Sequence, residues 1–189
     1  MTRLVLTILS GLLLATSATA QPETAIDPAL KERLIVAARE APSFEDRFHA
    51  EVWLTDMSGR LASKVPDHEE RIAILKTAHQ EASRVDLPPE LVLAVIDIES
   101  NFDRFALSYA GARGLMQVMP FWLKEIGRPD DNLFEIATNL RYGCTILRYY
   151  YDLEDGRLTQ ALARYNGSRG QRWYPDRVMG RLSSKWFQQ

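Results

Sequence analysis

Residues 88–100 read Pro-Pro-Glu-Leu-Val-Leu-Ala-Val-Ile-Asp-Ile-Glu-Ser, and this stretch decides the fold class. Pro88 and Pro89 suit the first turn of a helix, where the missing N–H would have had no partner within the helix anyway. Leu91 to Ile98 then put apolar side chains on most sides of that helix. A helix apolar all round belongs inside a protein. The two acids at its far end, Asp97 and Glu99, therefore need a reason to be there. Three and four residues before Glu99 stand Ile96 and Val95, which share its face with Val92 and Leu91. Protein must cover such a face, and Glu is almost never buried without a partner or a task. At a helix C-terminus the dipole disfavours a carboxylate's charge, and partial desolvation adds to the effect, so both raise its pKa. A proton held near neutrality is what a general acid requires. The plainer alternative is a helix-end carboxylate that pairs with arginine or reaches solvent.

The segments on either side are also helical in pattern. Residues 29–41 and 43–57 form two stretches, the second with Ser43 as N-cap after Pro42 and Gly59 as its end. A third helix is expected from Asp67 to about Val85. It carries acids in the first turn, where the dipole favours them, and Ile72, Leu75, Ala78 and Ala82 at helical spacing. After the central helix, Gly111-Ala112-Arg113-Gly114 reads as a loop or tight turn. Leu115 to Glu125 is a helical candidate interrupted by Pro120, and Asn132 to about Asp152 is a long amphipathic helix. Leu158 to Tyr165 is another, closed by Asn166-Gly167. No repeat, low-complexity tract or period-two strand of useful length is present, so the fold class is all-α.

The first twenty residues read as an address. Arg3 supplies a basic start, Leu4 to Leu14 an apolar core, and Ala18-Thr19-Ala20 a small-residue cleavage site. The apolar run is short for a bilayer, which calls for roughly 20 residues. Cleavage and export to the periplasm are expected, with no stable membrane insertion. No cysteine stands at the cleavage point to accept a lipid. Lys and Arg number 23 against 25 Asp and Glu, and loss of Arg3 with the leader makes the remainder more negative still. That balance argues against nucleic acid as a partner. What remains after residue 20 fits one domain with a sizeable core.

Cys144 is the only cysteine, which leaves no internal disulfide, and its apolar helical setting reads as a small buried hydrophobe. His49, His68 and His79 are scattered over polar helix patterns and read as solvated or locally satisfied. No cluster has metal-ligand spacing, and no metal or other cofactor is expected.

Three short motifs follow one another in the second half of the chain. Glu99-Ser100 comes first, then Ser108-Tyr109-Ala110-Gly111-Ala112-Arg113-Gly114-Leu115-Met116-Gln117-Val118-Met119-Pro120, then Ala163-Arg164-Tyr165-Asn166. Together they resemble the lytic transglycosylase domain of the soluble-lytic-transglycosylase (SLT) type. Its signatures are Glu-Ser, Gly-Leu-Met-Gln and Ala-x-Tyr-Asn, and the resemblance covers roughly residues 85–180. It implies a goose-lysozyme-like helical domain with a groove for peptidoglycan glycan strands, at residues 85–189, preceded by a helical extension at 21–84. It also implies that Glu99 is the acid and base, with Ser100 orienting the carboxylate or substrate. Ser108, Gly114, Leu115, Met116 and Gln117 would contact the glycan, with Tyr165 beside Glu99 and Asn166 holding that corner of the site.

Each has a plainer reading too. Gly114 suits a turn, Met116 core filling, Gln117 solvent, Tyr165 the core, and Asn166 an αL cap. Trp122, Trp173, Tyr174 and Trp186 could stack on sugars or pack in the core.

The implied reaction cuts the bond between N-acetylmuramic acid and N-acetylglucosamine and leaves a 1,6-anhydro end. One carboxylate suffices because the muramoyl C6 hydroxyl is a tethered nucleophile. A lysozyme-type hydrolase would need a second base, for which Asp103 is nearest in sequence if the helix continues through Phe102. A glycan-binding module without turnover is the third possibility. The front helices could also dock on a cell-wall or secretion machine. The sequence departs from the family after Asn166, where Gly167 follows directly instead of one residue later. The loop Gly167-Ser168-Arg169-Gly170 is therefore expected to run differently beside the groove.

Overall fold

The apolar stretch becomes α4 (Pro89–Glu99), with Pro89 in its first turn and Leu91 to Ile96 each at most 2% exposed. In the computed structural model, residues 28–39 and 42–187 are described; the candidate leader, residues 1–20, lies outside them. Around α4 stand α1 (Pro28–Arg39), α2 (Arg47–Leu61), α3 (His68–Arg84), α5 (Trp122–Ile126), α6 (Ile136–Leu153), α7 (Leu158–Tyr165) and α8 (Trp173–Arg181). A π-helical turn, Leu182–Trp186, follows α8. Among the described residues the only β pairings are isolated bridges, Leu107 with Arg113 and Arg113 with Val118. The fold is all-α, as expected.

Local chemistry sets the helix starts. Asp67 caps α3 by accepting from the Glu70 N–H at 2.8 Å. α2 starts later than the expected residue 43 and runs past Gly59. Its cap is Asp46, whose carboxylate accepts from His49 N–H at 2.8 Å. Ser43 is drawn instead to the His79 ring, 2.8 Å from Nδ1. His79 stacks on Phe44 with ring centroids 3.5 Å apart, and burial pushes its pKa down to about 4. It is a neutral core residue at neutral pH.

The expected helix from Leu115 begins only at Trp122. Gln117 has φ +49, Arg113 and Val118 exchange backbone hydrogen bonds, and the Met116 N–H is committed to a side chain of α6. Those backbone groups cannot also form a helical ladder. No sequence pattern announced α8, which is amphipathic but short.

One continuous core joins Leu34 of α1 to Trp186 at the C-terminal turn. α4 is enclosed by α3, α8 and that turn. On its far side from Glu99, Asp97 is buried and fully engaged. It accepts from the Trp186 indole at 3.0 Å, pairs with Lys64, and has the Arg181 guanidinium at 3.5 Å. A buried carboxylate needs such compensation. Cys144 is buried, and burial drives its thiol pKa well up, which leaves it inert. No helix of the described residues is long and apolar enough to cross a membrane.

Candidate active site

Glu99 is the last residue of α4, where the helix must stop. Asn101 and Phe102 both adopt positive φ, +52 and +67, so the chain turns sharply away. Asp103 therefore does not share the Glu99 face, and its Oδ1 accepts from the Phe105 N–H at 2.9 Å in a local turn. The α4 helix brings Glu99 out of the core with apolar residues behind it. Burial pushes its pKa up to about 7. The hydrogen bond from Tyr174 and the charge of Arg177 pull the other way without cancelling it. The Tyr174 hydroxyl donates to Oε1 at 2.5 Å. Tyr174 is 1% exposed, so α8 delivers this donor from inside the core.

The Gly114–Gln117 turn is the hub where the motifs meet. Ser100 Oγ donates to the Leu115 carbonyl at 2.8 Å, and the Tyr165 hydroxyl donates to the Met116 carbonyl at 2.7 Å. Asn139, on the buried face of α6, accepts from Met116 N–H at 2.8 Å. It donates to the Arg113 and Leu133 carbonyls at 2.8 and 2.7 Å. A buried amide with its hydrogen-bonding capacity spent in this way fixes a turn in one conformation. Gly114 has φ +72, and a Cβ there would collide with the Asn139 amide and the Leu133 carbonyl. Only glycine fits so close to α6.

The side chains of Leu115 and Met116 are fully buried, and Met116 lies so tightly on Gly143 that a Cβ there would strike its sulfur. What this pair offers the site is backbone carbonyls. Gln117 is half-buried, and its amide donates to the Gly114 and Ala106 carbonyls at 3.0 and 3.2 Å. Ser108 closes the preceding loop by accepting from Ala112 N–H at 2.9 Å. Tyr165 lies near Glu99; its hydroxyl pKa is raised chiefly by burial, with the Glu99 charge next.

Asn166 is the C-cap of α7 in right-handed conformation, φ −80, not αL. The left-handed residue is Gly167, φ +77. Gly167 N–H bonds Arg164 O at 3.0 Å and Ser168 N–H bonds Ala163 O at 2.8 Å. This is the Schellman pattern that closes a helix, and it accounts for a glycine directly after the asparagine.

The sequence therefore pointed to Glu99, Ser100, the 114–117 turn and Tyr165, which the fold brings together. It missed Tyr174 as the Glu99 donor and Asn139 as the clamp on the turn. A polar residue on the buried stripe of α6, beside Leu140 and Tyr142, was the available signal for Asn139. Tyr174 had only the general rule that a buried tyrosine hydroxyl finds a partner. Trp186 and Trp122 sit in or against the core, whereas Trp173 is exposed. Among the described residues no group of three or more His, Cys, Asp or Glu is arranged to hold a metal ion.

The family model for the transglycosylase SLT domain matches residues 76–183. The chain belongs to this family. A "transglycosylase" of Enterobacteria phage PRD1 is 30% identical over 114 residues, covering 57% of this SLT chain and 42% of the phage protein. "Membrane-bound lytic murein transglycosylase F" of Desulfosudis oleivorans is 40% identical over 81 residues, 41% of this chain and 18% of that protein. The SLT chain thus spans less than half the length of these relatives. Among solved structures, an inactive mutant of the lytic transglycosylase Slt from Pseudomonas aeruginosa aligns with a TM-score of 0.47 and 23% identity. That alignment covers 85% of this chain and 32% of that one.

Proposed function

We propose that this SLT-family chain is a peptidoglycan lytic transglycosylase with Glu99 as its single acid and base. The observation that carries the proposal is a carboxyl group raised to about 7 at the end of a buried helix, beside a turn built from the family motifs. Such a group is part protonated and part charged at neutral pH, which suits one residue to both halves of the reaction. As an acid, Glu99 gives its proton to the oxygen bridging N-acetylmuramic acid and N-acetylglucosamine, and the bond from the muramoyl anomeric carbon to that oxygen breaks. The glycan's own acetamido oxygen meets the positive charge developing at that carbon, as in substrate-assisted glycosidases. As a base, Glu99 takes the proton of the muramoyl C6 hydroxyl, whose oxygen bonds to the anomeric carbon. The products are a 1,6-anhydro end and a free 4-hydroxyl, and no water is consumed.

In this scheme Tyr174 stabilises the charged form of Glu99 between the two proton transfers. Ser100 and Tyr165 hold the Leu115 and Met116 carbonyls in the turn beside Glu99, Asn139 secures that turn, and Gln117, Ser108 and Asn166 would contact the glycan around it. Against a hydrolytic mechanism, Asp97 is locked on the other side of α4 and Asp103 is turned into a local bond, so neither serves as a second base. Export to the periplasm through the leader at 1–20, with residues 21–84 as an extension before the catalytic domain at 85–189, belongs to the same proposal. The test is mass spectrometry of purified cell walls digested with the wild type and with Glu99→Gln. Anhydro-muramoyl ends from the wild type and none from the variant are expected. Lysis by the variant at the wild-type rate would remove Glu99 from the mechanism.

A further inference from the structure

Two groups of residues outside the 76–183 SLT match meet at α4. One is the end of α2 with Lys64 just beyond it, and the other is Lys185, Trp186 and Phe187 around the π-helical turn. Arg60 of α2 joins them. Asp56 orients its guanidinium, accepting from Nε at 2.8 Å. Arg60 Nη1 then donates to the Lys185 carbonyl at 2.6 Å and to the Phe187 carbonyl at 3.1 Å. A planar guanidinium with several donors suits such simultaneous bonds.

Both groups converge on the last turn of α4. Trp186 is fully buried, donates its indole N–H to Asp97 at 3.0 Å and sets its ring 5.3 Å from that of Phe102. Lys64 pairs with the same Asp97 and donates to the Asn101 side-chain oxygen. Its ammonium lies 5.8 Å from the centre of the Phe102 ring. Glu99 is thus held at Asp97 before it and at Asn101 and Phe102 after it. Those last two residues are left-handed, φ +52 and +67, which is rare for a side chain as bulky as phenylalanine. Such backbone persists only where its surroundings over-determine it. Here Lys64 and Trp186 do so. The helix that brings Tyr174 to Glu99, α8, runs straight into the π-helical turn, so the same contacts steady the donor.

We infer that α2 and the π-helical turn form a brace that positions Glu99, with Lys64 and Trp186 as positioning residues and Arg60 as the clasp between them. This gives the extension before the catalytic domain a part in the proposed reaction, and its effect on activity rests on the role given to Glu99. When the brace is loosened, the 101–102 turn relaxes toward right-handed backbone and the Glu99 carboxyl group moves toward water. Burial is the largest influence on that group, so its pKa falls. Loss of a positive charge by itself raises a carboxyl pKa, so a fall reports displacement and not field. The groups that act on Glu99 directly, Tyr165 of α7 and Tyr174 and Arg177 of α8, stay in place in the sequence of every variant.

The test uses the full chain carrying Arg60→Ala, Lys64→Met or the conservative Lys64→Arg, each shown to be folded by near-UV circular dichroism. NMR titration of the Glu99 carboxyl carbon is paired with kcat and KM on purified cell walls. Arg60→Ala and Lys64→Met are expected to lower the Glu99 pKa by about one unit. They should lower kcat about threefold to tenfold with KM within about twofold, and Lys64→Arg should recover most of both. If Lys64→Met does not fold, Arg60→Ala decides, since its side chain is 29% exposed and its loss empties no core. Variants that lose stability yet keep the wild-type titration and kcat overturn the brace. A wild type that cuts no wall defeats the transglycosylase assignment, whereas a fall of the Glu99 pKa in the variants still upholds the brace.

Discussion

Replacing Glu99 by Gln keeps the shape of the side chain and removes its charge, and the consequence for folding can be worked out without any substrate. An unfolded glutamate titrates at 4.5, whereas burial holds Glu99 near 7 in the folded chain. Below 4.5 both states are protonated and the residue behaves much like glutamine. Between 4.5 and about 7 the folded state binds more protons than the unfolded state, so folding stability falls as pH rises. Above 7 the full cost of keeping a charge in that setting is present. At about 1.36 kcal/mol per pH unit the ceiling is about 3 kcal/mol, and residual solvent contact reduces it to about 2 kcal/mol. The amide oxygen of the substituted side chain can still accept from the Tyr174 hydroxyl, so the variant loses little in return. Urea denaturation at pH 4 and pH 8 measures the difference. Glu99→Gln should match the wild type at pH 4 and exceed it by about 2 kcal/mol at pH 8. Equal differences at the two pH values, or a less stable variant at pH 8, would refute the claim that this carboxyl group is held protonated by burial.

Other perturbations act on named neighbours. Tyr174→Phe removes a donor that favours the charged carboxylate, and a bond to a charged group is worth about 1.5–3 kcal/mol. The alkaline limb of kcat/KM should therefore move up by about one pH unit, and a limb that stays or moves down contradicts the role given to Tyr174. Asn139→Leu strands the Met116 N–H and two carbonyls in the interior. A loss of about 3 kcal/mol in thermal or urea unfolding is expected, against under 1 kcal/mol if the turn holds itself. Gly114→Ala adds a Cβ where φ is +72 and the Asn139 amide is already in contact. It should cost about 2–3 kcal/mol and depress wall lysis in the fraction that folds.

The fold class was legible because helical periodicity and the all-apolar α4 are local signals. Helix ends were less so. At α2 the choice between Ser43 and Asp46 as cap was decided by His79, a residue of another helix, which claims Ser43. Leu115 to Val118 looked helical on propensity, yet Asn139, more than twenty residues later, takes the Met116 N–H that a helix would need. Glu99, the proposed acid and base, could be picked out because burial of an acid is visible in its own neighbours along α4. Its hydrogen-bond donor comes from α8, 75 residues away, and nothing within reach of Glu99 in sequence announces it. The glycine directly after Asn166 read as a departure that makes the following loop run differently, and its backbone bonds show it to be the residue that ends α7.

In the proposed reaction one side chain serves both proton transfers, and a sugar hydroxyl, not water, forms the new bond. Digestion of purified peptidoglycan in water enriched in heavy oxygen, followed by mass spectrometry of the muramoyl ends, tests this directly. Anhydro ends with no heavy oxygen incorporated are expected. Reducing muramoyl ends carrying one heavy oxygen for each bond cut would contradict it.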